Sequence, residues 1–369
     1  MQPSLRAKAS DSANQRSASM LIEPDELKRA SEMDPTILEF VQKNPSPPID
    51  WNDEAAFKAR FQALEADTLA QLGPPESSLV ETEQDIPMRD GYTSSMKIHK
   101  PATPPPQGSP LIVLLFGGGF IGGSKHQMTP NARAMVRAFG AVVVNLSYRL
   151  APQHKFPTAI NDCWDGIKWL AAHAGELGAD PTKGFIVGGV SAGGLSSAVM
   201  CTLAAEEKLN PPLTGAWLSV PAIFDDEGKH VPEKYRKYYL SHQHNAEAPV
   251  LDQAAMDALT MHNEWDLNSP LRIPVLSKAP LSQLPPTYFQ ACGMDPIRDH
   301  ALVYEEMLKE AGVKTRIDHY PGCLHAHFAF FPGLEVTNKA NSDIIVNIGW
   351  LLGKEISAEE GLKAYEKPT

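Results

Sequence analysis

What this chain has little of narrows its class before any motif is read. Cysteine is scarce: four in 369 residues (Cys163, Cys201, Cys292 and Cys323), widely spaced and with no metal-type pair. That excludes a disulfide-stapled scaffold and a cysteine-built metal site, and it reads as reduced, buried thiols in a cytosolic protein. Basic charge is in deficit, 33 Lys and Arg against 44 Asp and Glu for a net charge of −11. Neither nucleic acid nor an anionic membrane surface is therefore an expected partner. No stretch approaches the ~18 apolar residues of a membrane helix. The first nineteen residues are polar and mixed in charge, without the apolar centre of a secretory signal, and the ending Glu366-Lys367-Pro368-Thr369 matches no retention or prenylation signal. A cytoplasmic location is expected.

Hydrophobic content of 43% with 21% charged residues describes a globular chain, long enough for one large domain or two ordinary ones. Residues 1–20 read as a disordered leader. Residues 21–75 read as a helical segment broken by Pro45-Ser46-Pro47-Pro48, its second half carrying Phe57, Phe61, Leu64 and Leu69 on one apolar face. Residues 86–100 alternate around Asp90-Gly91, a hairpin signal. An uninterrupted apolar run, 111–116, then suits a strand buried on both faces. Similar runs follow at 141–146, 184–189, 215–220, 287–292 and 314–320, separated or followed by helical stretches at 131–139, 158–174, 194–207, 298–311 and 336–352. Such alternation predicts an α/β fold, a mainly parallel sheet with helices on both faces. It stops between 224 and 274, a polar stretch rich in Tyr and His (Tyr235, Tyr238, Tyr239, His242, His244, His262) that reads as a lid. The core is then 80–223 with 275–353, and 354–369 is a tail.

Within this frame one turn stands out: Gly189-Val190-Ser191-Ala192-Gly193-Gly194, between an apolar run and a small-residue helix. Gly-X-Ser-X-Gly in a strand–turn–helix context is a candidate nucleophile elbow, although the same small residues also suit an ordinary connection. The Ala192 amide, at a helix N-terminus, faces the place where an oxyanion would form. The loop Gly117-Gly118-Gly119-Phe120-Ile121-Gly122 also satisfies the dinucleotide pattern Gly-X-Gly-X-X-Gly. That reading needs a helix opening at once and an acidic residue roughly 20 positions on. Neither is present, and no Asp or Glu occurs between Gly91 and Asn161. Consecutive glycines beyond a strand also present amides to an oxyanion, which makes Gly118 and Gly119 donor candidates beside Ala192.

A serine hydroxyl needs an imidazole to take its proton and a carboxylate to orient that imidazole, in the chain order Ser, acid, His for this type of fold. Asp295 follows the 287–292 run and His325 follows the 314–320 run. Each has a bland alternative: Asp295 or Asp299 could simply cap the next helix, and either His325 or His327 could be a packed core histidine.

Taken together, these residues resemble the hormone-sensitive-lipase-type branch of the α/β-hydrolases. The resemblance rests on Phe116-Gly117-Gly118-Gly119-Phe120, on Tyr148-Arg149-Leu150-Ala151-Pro152 with Phe156-Pro157, and on Gly189 to Gly194. It also rests on Asp295-Pro296-Ile297-Arg298-Asp299 and Gly322-X-X-His325, and it covers about residues 80 to 353. It implies an esterase with no cofactor and no metal, acting on a small-molecule ester through Ser191, His325 and Asp295, with Gly118, Gly119 and Ala192 as oxyanion donors. It also implies that residues 21–75 and 224–274 cap the site, leaving open whether the N-terminal helices cover the pocket or pair with a second subunit in a homodimer.

Two departures bear on the oxyanion site. Phe116 stands where the family usually has a His that fixes the glycine loop, and Val190 stands where it commonly has Asp or Thr. His325-Ala326-His327-Phe328 replaces the usual His-Gly-Phe and adds His327. The Tyr- and His-rich insert suggests an aromatic or polyketide-like ester. The two departures leave room for a non-hydrolytic alternative, an acyltransferase, dehydratase or cyclase using the same site. A non-hydrolytic receptor, like the gibberellin receptors that resemble this family, is disfavoured because Ser191, Asp295 and His325 are all retained.

Overall fold

The computed structural model describes residues 21–45, 50, 51 and 53–367; the expected leader, and Ser46, Pro47 and Pro48 of the proline break, lie outside them. The chain opens with helices α1 (Pro24–Ala30), α2 (Pro35–Lys43) and α3 (Glu54–Leu72). The segment breaks once more than its composition suggests. Asp34 Oδ1 accepts the Thr36 amide at 2.8 Å and Pro35 opens α2, so the chain stops and restarts there. Of the apolar face of α3, Phe57 is 2% exposed whereas Leu64 is 37% exposed and Phe61 and Leu69 are half-buried, so the stripe is only partly covered.

Strands β1 (Leu79–Pro87) and β2 (Thr93–Pro101) form the antiparallel hairpin. β1 begins earlier than residue 86 because charged residues mask its alternation. Glu81 is nearly buried and is held by Arg133 Nε at 2.6 Å and Lys97 Nζ at 3.1 Å. The core continues through β3 (Leu111–Leu115), α4 (Thr129–Phe139), β4 (Val142–Leu146), α5 (Thr158–Leu177), β5 (Phe185–Val190), α6 (Ala192–Glu206) and β6 (Gly215–Ser219). The insert supplies α7 (Ser241–His244) and α8 (Gln253–Asn263). Then come β7 (Thr287–Met294), α9 (Arg298–Glu310), β8 (Thr315–Leu324), α10 (His327–Phe330), α11 (Glu335–Leu351) and α12 (Ala358–Lys363).

Among the described residues the strands form one eight-stranded sheet in the order β1-β2-β4-β3-β5-β6-β7-β8. It is antiparallel only at the β1–β2 and β2–β4 pairs and parallel elsewhere. Every residue of β3, β4, β5 and β6 is buried, as continuous apolar runs between two helix layers require. The α/β fold with a doubly covered, mainly parallel sheet is thus the one its sequence pattern predicts.

Two strand ends differ from expectation in a way that matters for the site. β8 does not stop near residue 320 at Pro321 and Gly322. Past a register shift its pairing resumes at Met294↔Leu324, so β8 delivers His325 directly from its last residue. At the C-terminus, the segment read as a tail contains α12, opened by a capping box between Ser357 and Glu360. Arg137 of α4 donates to the Ala364 carbonyl at 3.0 Å, which docks this end on the core. No helix among the described residues is long and apolar enough to cross a membrane.

Candidate active site

β5 runs into Ser191, whose backbone sits at φ 57°, ψ −114°, before α6 starts at Ala192. A non-glycine residue at positive φ costs on the order of 1–3 kcal/mol and is held by its surroundings. Here the surroundings are close backbone. A Cβ on Gly193 would lie 2.0 Å from the Leu115 carbonyl oxygen, and one on Gly189 would lie 2.5 Å from the same oxygen. The two glycines therefore let α6 approach the end of β3, and the turn between them lifts Ser191 out of the sheet, where it is half-buried rather than buried.

His325 and Asp295 arrive from the adjacent ends of β8 and β7. His325 Nδ1 lies 2.7 Å from Asp295 Oδ2, and His325 Nε2 lies 2.9 Å from Ser191 Oγ. A carboxylate only accepts, so Nδ1 carries the hydrogen and Nε2 is left as the acceptor for the serine hydroxyl. Asp295 is fully buried, and its other oxygen accepts the Ile297 amide at 3.0 Å. It thus both begins the turn into α9 and meets the imidazole, so its two sequence readings are compatible.

The neighbours that competed with these residues are engaged elsewhere. Asp299 pairs with Arg298 at 2.6 Å and accepts the Leu240 and Ser241 amides at 2.7 and 2.6 Å, anchoring the insert rather than the imidazole. His327 is a packed histidine, between Cys292 Sγ at 3.4 Å and the Val336 carbonyl at 3.3 Å. Burial pushes its pKa down to about 4, partly opposed by the Val336 hydrogen bond.

Opposite Ser191 lies the glycine loop. A Cβ on Gly117 would stand 3.5 Å from Ser191 Cβ. The Gly118 carbonyl accepts from Ile121 N at 3.0 Å and Gly122 N at 2.9 Å. In a trans peptide C=O and N–H point opposite ways, so the Gly119 N–H points away from that turn. Among the described residues neither the Gly118 nor the Gly119 amide donates a hydrogen bond, and the Ala192 amide, in the first turn of α6, has no intrahelical partner. Gly118, Gly119, Ala192, Ser191, His325 and Asp295 are therefore all gathered where the C-terminal ends of β3, β5, β7 and β8 meet.

Phe116 does not leave this loop unsupported. Its ring stacks on Tyr148 at 3.9 Å and 5°, the Tyr148 hydroxyl donates to the Phe116 carbonyl at 2.7 Å, and Gln127 Oε1 accepts the Gly117 amide at 2.8 Å. Tyr148 and Gln127 thus hold the loop from the side where a histidine is usual. Tyr148 opens the motif Tyr148-Arg149-Leu150-Ala151-Pro152, which is its signal in the sequence; Gln127 has none.

A serine at a strand-to-helix elbow of a mostly parallel sheet, hydrogen-bonded to a histidine and through it to an aspartate, defines an α/β-hydrolase. A family described as alpha/beta hydrolase fold matches residues 112–329. The chain belongs to that family, in its hormone-sensitive-lipase-type branch, and is a serine hydrolase of the carboxylesterase type.

It is 32% identical over 299 residues to versiconal hemiacetal acetate esterase of Dothistroma septosporum, covering 80% of this chain and 88% of the relative. A carboxylesterase of Mycobacterium tuberculosis is 35% identical over 229 residues, 60% of this chain and 67% of that protein. Among solved structures, vibralactone cyclase superposes with a TM-score of 0.82 at 28% identity, over 88% of this chain and 96% of that one.

Proposed function

We propose that the chain hydrolyses a carboxylic ester of a small, aromatic or polyketide-like metabolite through an acyl-enzyme. The observation that carries this reading is the continuous hydrogen-bonded chain Ser191–His325–Asp295. Ser191 Oγ attacks the ester carbonyl while His325 Nε2 takes its proton, and the amides of Gly118, Gly119 and Ala192 receive the oxyanion. Collapse of that intermediate expels the alcohol, which takes the proton from His325. A water then repeats the sequence on the acyl-serine, returning a carboxylic acid and free Ser191. The relative whose name specifies a hemiacetal acetate supports an acetyl or similarly small acyl group on a larger alcohol. Helices α3 and α8 close over the glycine loop as a cap, with Phe57 and Leu259 in contact with its glycines.

A second reading follows from the structural likeness to a cyclase. In it the same first step operates, but a hydroxyl within the substrate or on another molecule takes the acyl group in place of water. The test is incubation of wild type and Ser191→Ala with p-nitrophenyl esters of increasing acyl length, and with a fluorophosphonate read by intact mass. Probe adduct and turnover in wild type, both absent from Ser191→Ala, are the outcome expected of a serine esterase. Adduct without ester turnover supports acyl transfer or cyclisation; absence of both from wild type overturns the nucleophilic role of Ser191.

A further inference from the structure

The insert does more than cover the glycine loop, because α8 and the turn after it grip that loop at three consecutive points. Leu259 lies against Gly119 so closely that a Cβ there would fall 2.1 Å from its methyl carbon. One helical turn on, Asn263 Nδ2 donates to the Gly119 carbonyl at 2.9 Å and to the Leu259 carbonyl at 2.8 Å. The helix then ends at Glu264, a non-glycine residue at φ 50°, and this left-handed turn sets the Trp265 ring edge-on to Phe120 at 5.4 Å. Asn263 is 2% exposed, and its own backbone carbonyl accepts the Phe156 amide at 3.1 Å. Its orientation is unambiguous, since reversing the side-chain amide would point an oxygen at two carbonyl oxygens.

The loop needs such a hold. Gly117, Gly118 and Gly119 have no side chains to restrict them, and glycine has more backbone freedom to lose than any other residue. A peptide flip in this run would present a carbonyl where a donor is required. The Gly118–Gly119 peptide is oriented from within, by Ile121 and Gly122. The next one, Gly119–Phe120, has φ +62° on both sides and is strained at Phe120. It is bound from outside by Asn263 at the Gly119 carbonyl, and the peptide after it is bound by Ala151 N at the Phe120 carbonyl, 2.8 Å.

We propose that Asn263 is a positioning residue for the oxyanion site: through its hydrogen bond to the Gly119 carbonyl, the insert fixes the Gly119–Phe120 peptide, and so holds in place the glycine loop that carries the Gly118 and Gly119 amides. The inference rests on the esterase reading of that site. It makes α8 part of the catalytic geometry, so the oxyanion donors are in place only while the insert is docked.

The test compares wild type, Asn263→Ala and the isosteric Asn263→Asp, all as full chains. Turnover of p-nitrophenyl butyrate is expressed per active site titrated to completion with a fluorophosphonate, so misfolded protein is not counted. The rate of fluorophosphonate labelling and the affinity for a trifluoromethyl ketone, which forms a tetrahedral adduct on serine, are measured alongside. A donor displaced by an ångström reduces rate on the order of 10²-fold. The expected result is a loss of that order in kcat per site with KM little changed. Ketone affinity and labelling rate should fall in parallel with kcat.

Asn263→Asp should be slower than Asn263→Ala although it preserves volume, because it sets an acceptor against two carbonyls. A packing role alone predicts the reverse order and a loss confined to the titratable fraction, and that result would overturn the proposal. So would equal kcat in all three proteins. If wild type turns over no ester, the esterase reading fails separately, and equal labelling rates in the three would then overturn the positioning role on their own.

Discussion

Replacing Asp295 with Asn tests the hydrogen-bond polarity of the site with almost no change in shape. Asp295 Oδ1 accepts the Ile297 amide at 3.0 Å while Oδ2 accepts His325 Nδ1 at 2.7 Å, both in a fully buried setting. An amide has one oxygen and one NH2, so it must choose. With the oxygen toward Ile297, the NH2 faces Nδ1, the imidazole carries its hydrogen on Nε2, and it donates to Ser191 instead of accepting from it. With the oxygen toward His325, the NH2 faces the Ile297 N–H, leaving a buried donor unpaired at a cost of about 1–3 kcal/mol. That difference biases the site toward the inactive tautomer by roughly 5- to 150-fold.

The remaining loss comes from removing the negative charge that stabilises the imidazolium, and for a buried triad carboxylate the two together reach about 10⁴ in kcat. The assay is p-nitrophenyl ester turnover per titrated active site, with thermal unfolding to show that the fold survives. An Asp295→Asn enzyme within tenfold of wild type would refute the assignment of Asp295 as the residue that orients His325.

Stability at the elbow and at a remote glycine should move in opposite directions. In Gly193→Ala the new Cβ meets the Leu115 carbonyl oxygen at 2.0 Å, backbone that cannot swing aside, so a loss of about 1–3 kcal/mol or more is expected. Gly175→Ala, in the last turn of α5 with nothing within 4 Å, should gain up to about 1 kcal/mol from helix propensity. Urea unfolding measures both, and a tolerated Gly193→Ala would remove the steric account of the elbow. Acid sensitivity should include His327. Its pKa is lowered from 6.5 to about 4, so the unfolded chain binds its proton first as pH falls. Stability is then lost between pH 6.5 and about 4 and levels off below. His327→Gln should make the pH dependence of the urea midpoint shallower across that window; an unchanged slope would show that His327 does not titrate as its burial requires.

How much of this was legible in the chain follows from the range of the interactions involved. The elbow is local: Gly189, Ser191 and Gly193 answer a steric demand within five residues, which a sequence displays directly. The buried strands are local too, since an apolar run declares itself whatever it pairs with. The charged start of β1 was hidden because Glu81 is tolerated through Arg133 of α4 and through Lys97 and His99 of β2. The end of β8 was hidden because Pro321 and Gly322 read as a stop, whereas pairing with β7 carries the strand to Leu324.

The order Ser191, Asp295, His325 and the glycine loop, with the family they resemble, were thus determined by the sequence alone. What the tertiary structure adds is the contact itself: His325 faces Ser191 and Asp295 meets the imidazole, while His327 and Asp299 are engaged elsewhere. Those contacts span 134 and 30 residues of chain and exist because sheet order and register bring the ends of β5, β7 and β8 together. The same holds for the contacts of Gln127 beneath the Phe116 loop and of Asn263 above it. A hydrogen bond to the backbone leaves no pattern in the sequence, because nearly every residue offers the same donor and acceptor and only the fold selects which one is reached.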